Sequence, residues 1–363
     1  MSDINVLVSG GVDSSVALHL LRRQGGHRIR AFYLKIWLED DLQHLGHCPW
    51  EDDLNFVRAV CKRAKVPLEI VPLQRHYQDW VVSYTVAELK AGHTPSPDIV
   101  CNQRIKFGAF FQALGECDGL VATGHYAARG QEGSTALLLE NPDPVKDQTY
   151  FLCGLRQDQV ARAVFPLGDL TKTKVREIAQ DMDLETKNRP DSQGICFLGK
   201  IKFRDFAKYH LGCRKGEIRC AVTQKLLGFH EGYWFHTIGQ RKGLGLGGGP
   251  WFVCAKDIHQ NIVYVLHHSA LTSVSRTTFL VPAPHWIGDS PKDSRLSVKI
   301  RHGSKKIPCS IDTLEGGGLE VTLEESDFGI ASGQYAVFYK NQMCLGGGTI
   351  QTSWNSTNSP TLS

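Results

Sequence analysis

Short apolar runs recur through the first part of the chain, at Val6 to Val8, Ile29 to Ile36, Leu68 to Leu73 and Gly119 to Thr123. Helical patterns separate them at Leu54 to Ala64, Tyr77 to Ala91 and Ile105 to Glu116. Apolar runs of this kind suit strands covered on both faces, and their alternation with helices predicts βαβ crossovers and a mostly parallel sheet. Ligands of such sheets bind beyond the carboxyl ends of the strands. Two turns stand at such ends: Ser9 to Ser14 and Ala122 to Tyr126.

Beyond Phe206 the pattern changes. Glycines punctuate the β-like runs Glu217 to Val222, Gly232 to Thr237, Trp251 to Lys256 and Asn261 to Leu266. A further set follows from Phe279, with Leu296 to Arg301, Ile307 to Thr313, Leu319 to Leu323 and Gln334 to Tyr339. Regular short strands without intervening helices predict small antiparallel sheets or barrels. The expected division is an α/β catalytic domain over 1–205, a small β-rich domain over 206–278 and a C-terminal β-barrel over 279–363.

Composition narrows the class without naming a chemistry. With 363 residues, 42% hydrophobic and 21% charged, the chain has the make-up of a globular protein of two or three domains. Its net charge of +4 allows a local nucleic-acid patch but does not demand one. No apolar run approaches membrane-spanning length and no basic segment with an apolar core opens the sequence, so a cytoplasmic protein with no membrane partner is expected. The 11 cysteines include no C-x-x-C pair, and in a reducing compartment most should be free and buried. Cys61 and Cys254 read as core.

The turn Ser9-Gly10-Gly11-Val12-Asp13-Ser14 joins the run Ile4 to Val8 to a helical stretch reaching Gln24. A strand, a glycine turn and a helix start build an anion cradle: backbone N–H groups approach phosphate oxygens and the helix dipole adds partial positive charge. A P-loop would carry a Lys-Ser/Thr pair after its last glycine, and this turn does not. Asp13 stands in place of that lysine, which suits a magnesium ion lying between carboxylate and phosphate. The turn resembles the signature loop of N-type ATP pyrophosphatases, which adenylate a substrate oxygen and release pyrophosphate. An ordinary glycine turn is the plainer alternative.

Three other segments carry candidate chemistry. In T-P-S-P-D-I-V-C-N, 94 to 102, two prolines stiffen a loop before the helix expected from Ile105. A thiol near that helix start, Cys101, would have a lowered pKa, and Asp98 could exchange a proton. A buried structural cysteine fits the same residues equally well. D-S-Q-G-I-C-F-L-G, 191 to 199, presents Cys196 on a turn-rich loop. Two loop cysteines that meet suffice for persulfide chemistry, one carrying sulfur and the other releasing it as a disulfide forms. K-D-Q-T-Y-F, 146 to 151, fits a capped helix start as well as a substrate contact. His125 fits either the flank of a nucleotide pocket or a strand end.

Taken in order, S-G-G-V-D-S at 9 to 14, P-D-I-V-C-N at 97 to 102, A-T-G-H-Y at 122 to 126, K-D-Q-T-Y-F at 146 to 151, G-I-C-F at 194 to 197, H-T-I-G-Q-R-K-G-L-G at 236 to 245 and L-G-G-G at 345 to 348 resemble one family over nearly the whole chain. It is the bacterial-type tRNA-specific 2-thiouridylases, which thiolate C2 of the wobble uridine. The resemblance implies an N-type ATP pyrophosphatase (adenine nucleotide alpha hydrolase-like) parallel-sheet domain, then a small β-rich domain and a C-terminal β-barrel.

It further implies that Leu7, Val8, Ser9, Gly10, Gly11, Val12, Asp13 and Ser14 hold ATP, with Mg2+ at Asp13 and with Leu34 and Gly124 lining the adenosine pocket. Cys101 would be the nucleophile and Cys196 the persulfide carrier, joined in a transient Cys101–Cys196 disulfide, with Asp98 catalytic beside them. Ser96, Pro97 and Asp98 would meet the target base, and His125, Lys146, Asp147, Gln148, Arg301, His302 and Gln334 would touch tRNA. The implied partners are a tRNA with a thiolatable wobble uridine and a persulfide-donating sulfur carrier protein.

Two positions depart from the family pattern: Ser96, where an asparagine is usual, and His302, where a tyrosine is common. Two rival readings are an amide-forming ATP pyrophosphatase, which gives no reason for paired loop cysteines, and a non-catalytic RNA-binding protein, which has no use for Asp13.

Overall fold

The computed structural model of the protein describes residues 2–36, 50–115, 119–190 and 202–352. Strands β1 (Ser2–Leu7), β2 (His27–Lys35), β3 (Leu68–Pro72) and β4 (Leu120–Ala122) follow the expected apolar runs. A hairpin of β5 (Ala127–Glu132) and β6 (Thr135–Glu140) leaves this sheet, and β7 (Ala163–Val164) returns to it. The five strands pair in parallel in the order β3-β2-β1-β4-β7.

Both faces of the sheet are covered, as runs apolar on both faces require. Ile4, Val6 and Ile29 pack with Leu54, Val57 and Cys61 of the helix Trp50–Ala64. Leu7, Phe32 and Val121 pack on the other side with Tyr77, Val81, Ile105 and Phe110. The two helical stretches on that second face each contain a π-helical segment, Gln78–Val82 and Cys101–Ala109. The second stretch begins at Pro97, well before the expected Ile105, because Pro97 supplies a preformed first helical position.

The small middle sheet, β8 (Gly216–Cys220), β9 (Leu226–His230), β10 (Trp251–Asp257) and β11 (Ile262–His267), has the order β10-β11-β8-β9 and includes one parallel pair, β11 with β8. The expected strand at Gly232 to Thr237 is instead a short 3-10 turn, Tyr233–Phe235, whose Tyr233 and Trp234 are buried under that sheet.

The last strands are β12 (Arg276–Val281), β13 (His285–Trp286), β14 (Arg295–Lys299), β15 (Ile307–Thr313), β16 (Leu319–Asp327), β17 (Tyr335–Lys340) and β18 (Met343–Thr349). They pair antiparallel in the order β12-β16-β15-β14-β17-β18, and Leu280 and Gln351 exchange backbone hydrogen bonds of 3.0 and 2.8 Å that join the first strand back to the end of the last. Val281, Leu296, Val298, Ile311, Val321 and Phe338 fill the interior. The hairpin β5-β6 extends this sheet through β6 and β18, so a piece of the first half of the chain is built into the C-terminal sheet.

Candidate active site

The turn after β1 has the geometry that its sequence demands. Gly10 adopts φ +79, and a Cβ there would lie 2.7 Å from the Asp53 carbonyl oxygen, so only glycine fits. Gly11 is the N-cap of the helix Val12–Gln24, and no side chain caps it. The serines brace the turn from within: Ser14 Oγ accepts from Ser9 N at 3.1 Å, and Ser15 Oγ donates to Gly11 O at 2.8 Å. The first-turn N–H groups at Val12 and Asp13 have no helical acceptor, so the turn is open to an anion. Gly124, just past β4, packs onto this turn so closely that a Cβ would sit 2.7 Å from Ser14 N. Leu34, near the end of β2, is partly buried beside the same sheet face.

Charge at the turn is arranged largely by residues from outside the sequence motifs. Asp13 receives Lys172 Nζ at 2.7 and 3.0 Å and the Tyr126 hydroxyl at 2.8 Å. Arg189 donates to Gly10 O at 2.8 Å and to Asp53 Oδ1 at 2.5 Å while its guanidinium lies over the Phe56 ring. Tyr126 had a signal, as the last residue of A-T-G-H-Y; Lys172 and Arg189 had none.

Asp98 and Cys101 lie on one face of the helical stretch from Pro97, three positions apart. Ser96, Pro97 and Asp98 line a cleft of about 410 Å3 together with His302 and Gln334. Aromatic walls complete it: Phe151 stacks on His302 with ring centres 4.5 Å apart, and Trp234 and Phe235 face it from the middle domain with Thr237 and Gln240. Gln334 Oε1 and Trp234 Nε1 are buried with no hydrogen-bond partner among the described residues. A buried polar atom left unsatisfied costs about 1–3 kcal/mol. The motif at 236 to 245 was recognisable in the sequence, but its place in this wall was not.

Cys101 itself is a free thiol, 1% exposed, in the core shared with Leu7 and Phe32. Burial pushes its pKa up to about 11, with Lys106 lowering it and Asp98 raising it. The lowered pKa expected from a helix start is therefore corrected. The helix begins a full turn earlier, and its dipole fades within that first turn. Cys196 and the segment 191–201 lie outside the described residues. The flanks of that segment are placed: Arg189 is bonded to Gly10 of the glycine turn, and Phe203 lines the cleft.

The remaining expected contacts divide into cleft-lining and supporting positions. Asp147 is 3% exposed; its carboxylate takes Lys299 Nζ at 2.9 Å and the Thr149 hydroxyl at 2.8 Å, with Glu140 also 3.2 Å from Lys299. An RNA contact by the Asp147 carboxylate is corrected accordingly: it anchors β14 to the K-D-Q segment. Gln148 Oε1 accepts from Tyr126 N at 3.0 Å, tying that segment to A-T-G-H-Y. His302 Nε2 lies 3.3 Å from the Asp147 carbonyl oxygen, and burial holds the imidazole pKa below its ordinary value. His125 is half-buried, 2.8 Å from Thr123 Oγ1, and burial lowers its pKa well below the ordinary value. Lys146 is half-buried at the head of its segment. Arg301 is paired with Asp327. Among the described residues no cluster of three His, Cys, Asp or Glu side chains could hold a metal, and no helix is long and apolar enough to cross a membrane.

Three family models match in sequence: the tRNA methyl transferase HUP domain over 2–200, the tRNA methyl transferase PRC-barrel domain over 204–267 and the aminomethyltransferase beta-barrel domain over 276–350. The chain is 42% identical over 355 residues to tRNA-specific 2-thiouridylase MnmA 1 of Bacteroides thetaiotaomicron, covering 96% of this chain and 99% of that protein. It is 43% identical over 355 residues to MnmA 2 of Bacteroides fragilis strain ATCC 25285, with 96% and 99% covered, and 39% identical over 355 residues to MnmA of Pasteurella multocida, with 95% and 92% covered.

Proposed function

This chain belongs to the tRNA-specific 2-thiouridylase family, and on that premise we propose how its residues divide the work of replacing a uridine oxygen by sulfur. It is a tRNA-uridine 2-sulfurtransferase. In the proposed first step the C2 oxygen of the wobble uridine attacks the α-phosphorus of ATP. The bond to the β-phosphate oxygen breaks, and pyrophosphate leaves with the electron pair. The turn Leu7 to Ser14 holds the phosphates, and Leu34 and Gly124 border the adenosine. N–H groups aimed at a departing phosphate stabilise the charge that develops there.

Magnesium fits the turn in a limited sense. One carboxylate, Asp13, is present, and Mg2+ commonly takes one or two carboxylates with phosphate oxygens and water. Bound at Asp13, it would neutralise charge on the leaving group.

Sulfur then adds to C2, and AMP departs with the former uridine oxygen. Cys196 carries this sulfur as a persulfide received from a carrier protein. Either the persulfide attacks C2 directly and Cys101 then attacks Cys196 Sγ, or Cys101 attacks first and frees hydrosulfide. Both routes end in a Cys101–Cys196 disulfide, which an external two-electron reductant reopens. Asp98, three positions before Cys101, is proposed to take its proton.

The observation that carries the placement of the uridine is the cleft. It combines Ser96, Pro97 and Asp98 with the Phe151–His302 stack and the unsatisfied Gln334 oxygen. An unstacked base takes aromatic stacking together with hydrogen bonds to its edge. His125, Lys146, Gln148 and Arg301 are proposed to meet the surrounding tRNA, and the domain limits at 205 and 278 and work in the cytoplasm belong to the same reading.

The test is incubation of tRNA with protein, ATP, Mg2+ and a radiolabelled persulfide donor. The expected outcome is ATP-dependent exchange of oxygen for sulfur at the wobble uridine, read by nucleoside mass spectrometry. Cys101→Ser should keep label on the protein without thiolating tRNA, and Cys196→Ser should take no label. Label on both variants, or full thiolation by either, contradicts this division of roles.

A further inference from the structure

The phosphate turn lacks the lysine that a P-loop carries, yet a lysine reaches it from 159 residues away. Lys172 opens the helix Lys172–Asp181, whose Val175 and Ala179 pack against Val12, Val16 and Ala17 of the helix that follows the turn. Residues 172, 175 and 179 share one face of their helix, and 12, 13, 16 and 17 share one face of the other. The apolar seam between the helices therefore sets Lys172 opposite Asp13 at its N-terminal end.

The approach is fixed from several sides. Asp143 Oδ2 accepts from Lys172 N at 3.0 Å, Thr171 Oγ1 caps the helix by accepting from Lys174 N at 3.3 Å, and the ammonium lies 5.7 Å from the Tyr126 ring centre. The Lys172 side chain is only 13% exposed. The nearby Arg189 is spent on Gly10 and Asp53. The Lys172 ammonium is thus held at the glycine turn against the Asp13 carboxylate.

We propose that Lys172 is the phosphate-binding lysine of this site: it keeps Asp13 neutralised in the free protein and moves onto the β- and γ-phosphates when ATP enters. The inference rests on the reading of 9 to 14 as a phosphate turn. In adenylation, as the bond between the α-phosphorus and the bridging oxygen breaks, Lys172 donates hydrogen bonds to the leaving pyrophosphate and no proton changes owner. Transfer of Lys172 also frees the Asp13 carboxylate for a cation arriving with the nucleotide.

Calorimetric titration with inorganic pyrophosphate, ATP and adenosine, in chelator without metal, tests the lysine separately from turnover. Lys172→Gln should weaken pyrophosphate and ATP by about tenfold or more, as loss of a charge-assisted hydrogen bond does, and leave adenosine and tRNA affinity unchanged. Lys172→Arg should recover most of the phosphate affinity. In the wild-type protein, amine labelling read by mass spectrometry should show Lys172 protected by pyrophosphate and ATP but not by adenosine, an arm that does not depend on a variant folding.

Wild-type protein that binds ATP while Lys172→Gln binds pyrophosphate equally well overturns the role of Lys172 alone. Parallel loss of adenosine does the same by making the residue structural. Wild-type protein that binds neither ATP nor pyrophosphate overturns the phosphate turn itself.

Discussion

Cys101 shows how far a single residue departs from what its neighbours in sequence suggest. Its thiol belongs to the core under the sheet, with its pKa raised to about 11 by burial. Near neutral pH the thiolate fraction is therefore very small, and it grows as pH rises toward that value. Alkylation of Cys101 by iodoacetamide in the free protein should be much slower than that of the exposed Cys213 and should accelerate steadily through alkaline pH. Equal rates near neutrality would contradict the buried placement. The sequence singled out Cys101, Asp98 and the glycine turn at 9 to 14 because each sits in a locally ordered motif. It could not locate Lys172, whose meaning comes from an ion pair between two helices that only packing brings together.

At the scale of elements, the βαβ half was legible because buried parallel strands leave continuous apolar runs. The hairpin β5-β6 was not: Ala127 to Glu132 reads A-A-R-G-Q-E, and its sheet partner β18 lies some two hundred positions downstream. L-G-G-G at 345 to 348, legible in the sequence only as a family motif, forms the middle of β18. There a Cβ on Gly346 would lie 2.2 Å from the His285 carbonyl oxygen, and one on Gly347 2.3 Å from that of Ala336. Glycine is required by the close approach of β13 and β17. Gly347→Ala should lower stability by about 1–3 kcal/mol, the cost of overpacking, in chemical denaturation. An unchanged midpoint would show that the strands can part without penalty.

Across the whole molecule, the two ends of the chain are held by buried charge. Lys299 on β14 is 2% exposed and pairs with Asp147 and Glu140, both from the first half. Removing one partner of such a cluster leaves charge buried without compensation, so Lys299→Met should destabilise the protein by about 3–5 kcal/mol. A loss below 1 kcal/mol in the denaturation midpoint would mean that water reaches the pair. For the same reason, truncation at Phe279 would not isolate a tRNA-binding unit, since it would unpair β6 and strip Asp147 of its lysine. The cleft likewise depends on all three parts, with Asp98, Trp234 and His302 each contributed by a different one.

The central claim is that ATP activates the C2 oxygen of the wobble uridine at the turn Ser9 to Ser14 and that sulfur displaces this oxygen on AMP. The most direct measurement uses tRNA carrying oxygen-18 at C2 of that uridine and follows the released nucleotide by mass spectrometry. The expected result is one oxygen-18 atom in AMP for each thiouridine formed, unlabelled pyrophosphate, and neither product from Asp13→Asn. Thiouridine formed with unlabelled AMP would contradict adenylation of the uridine oxygen.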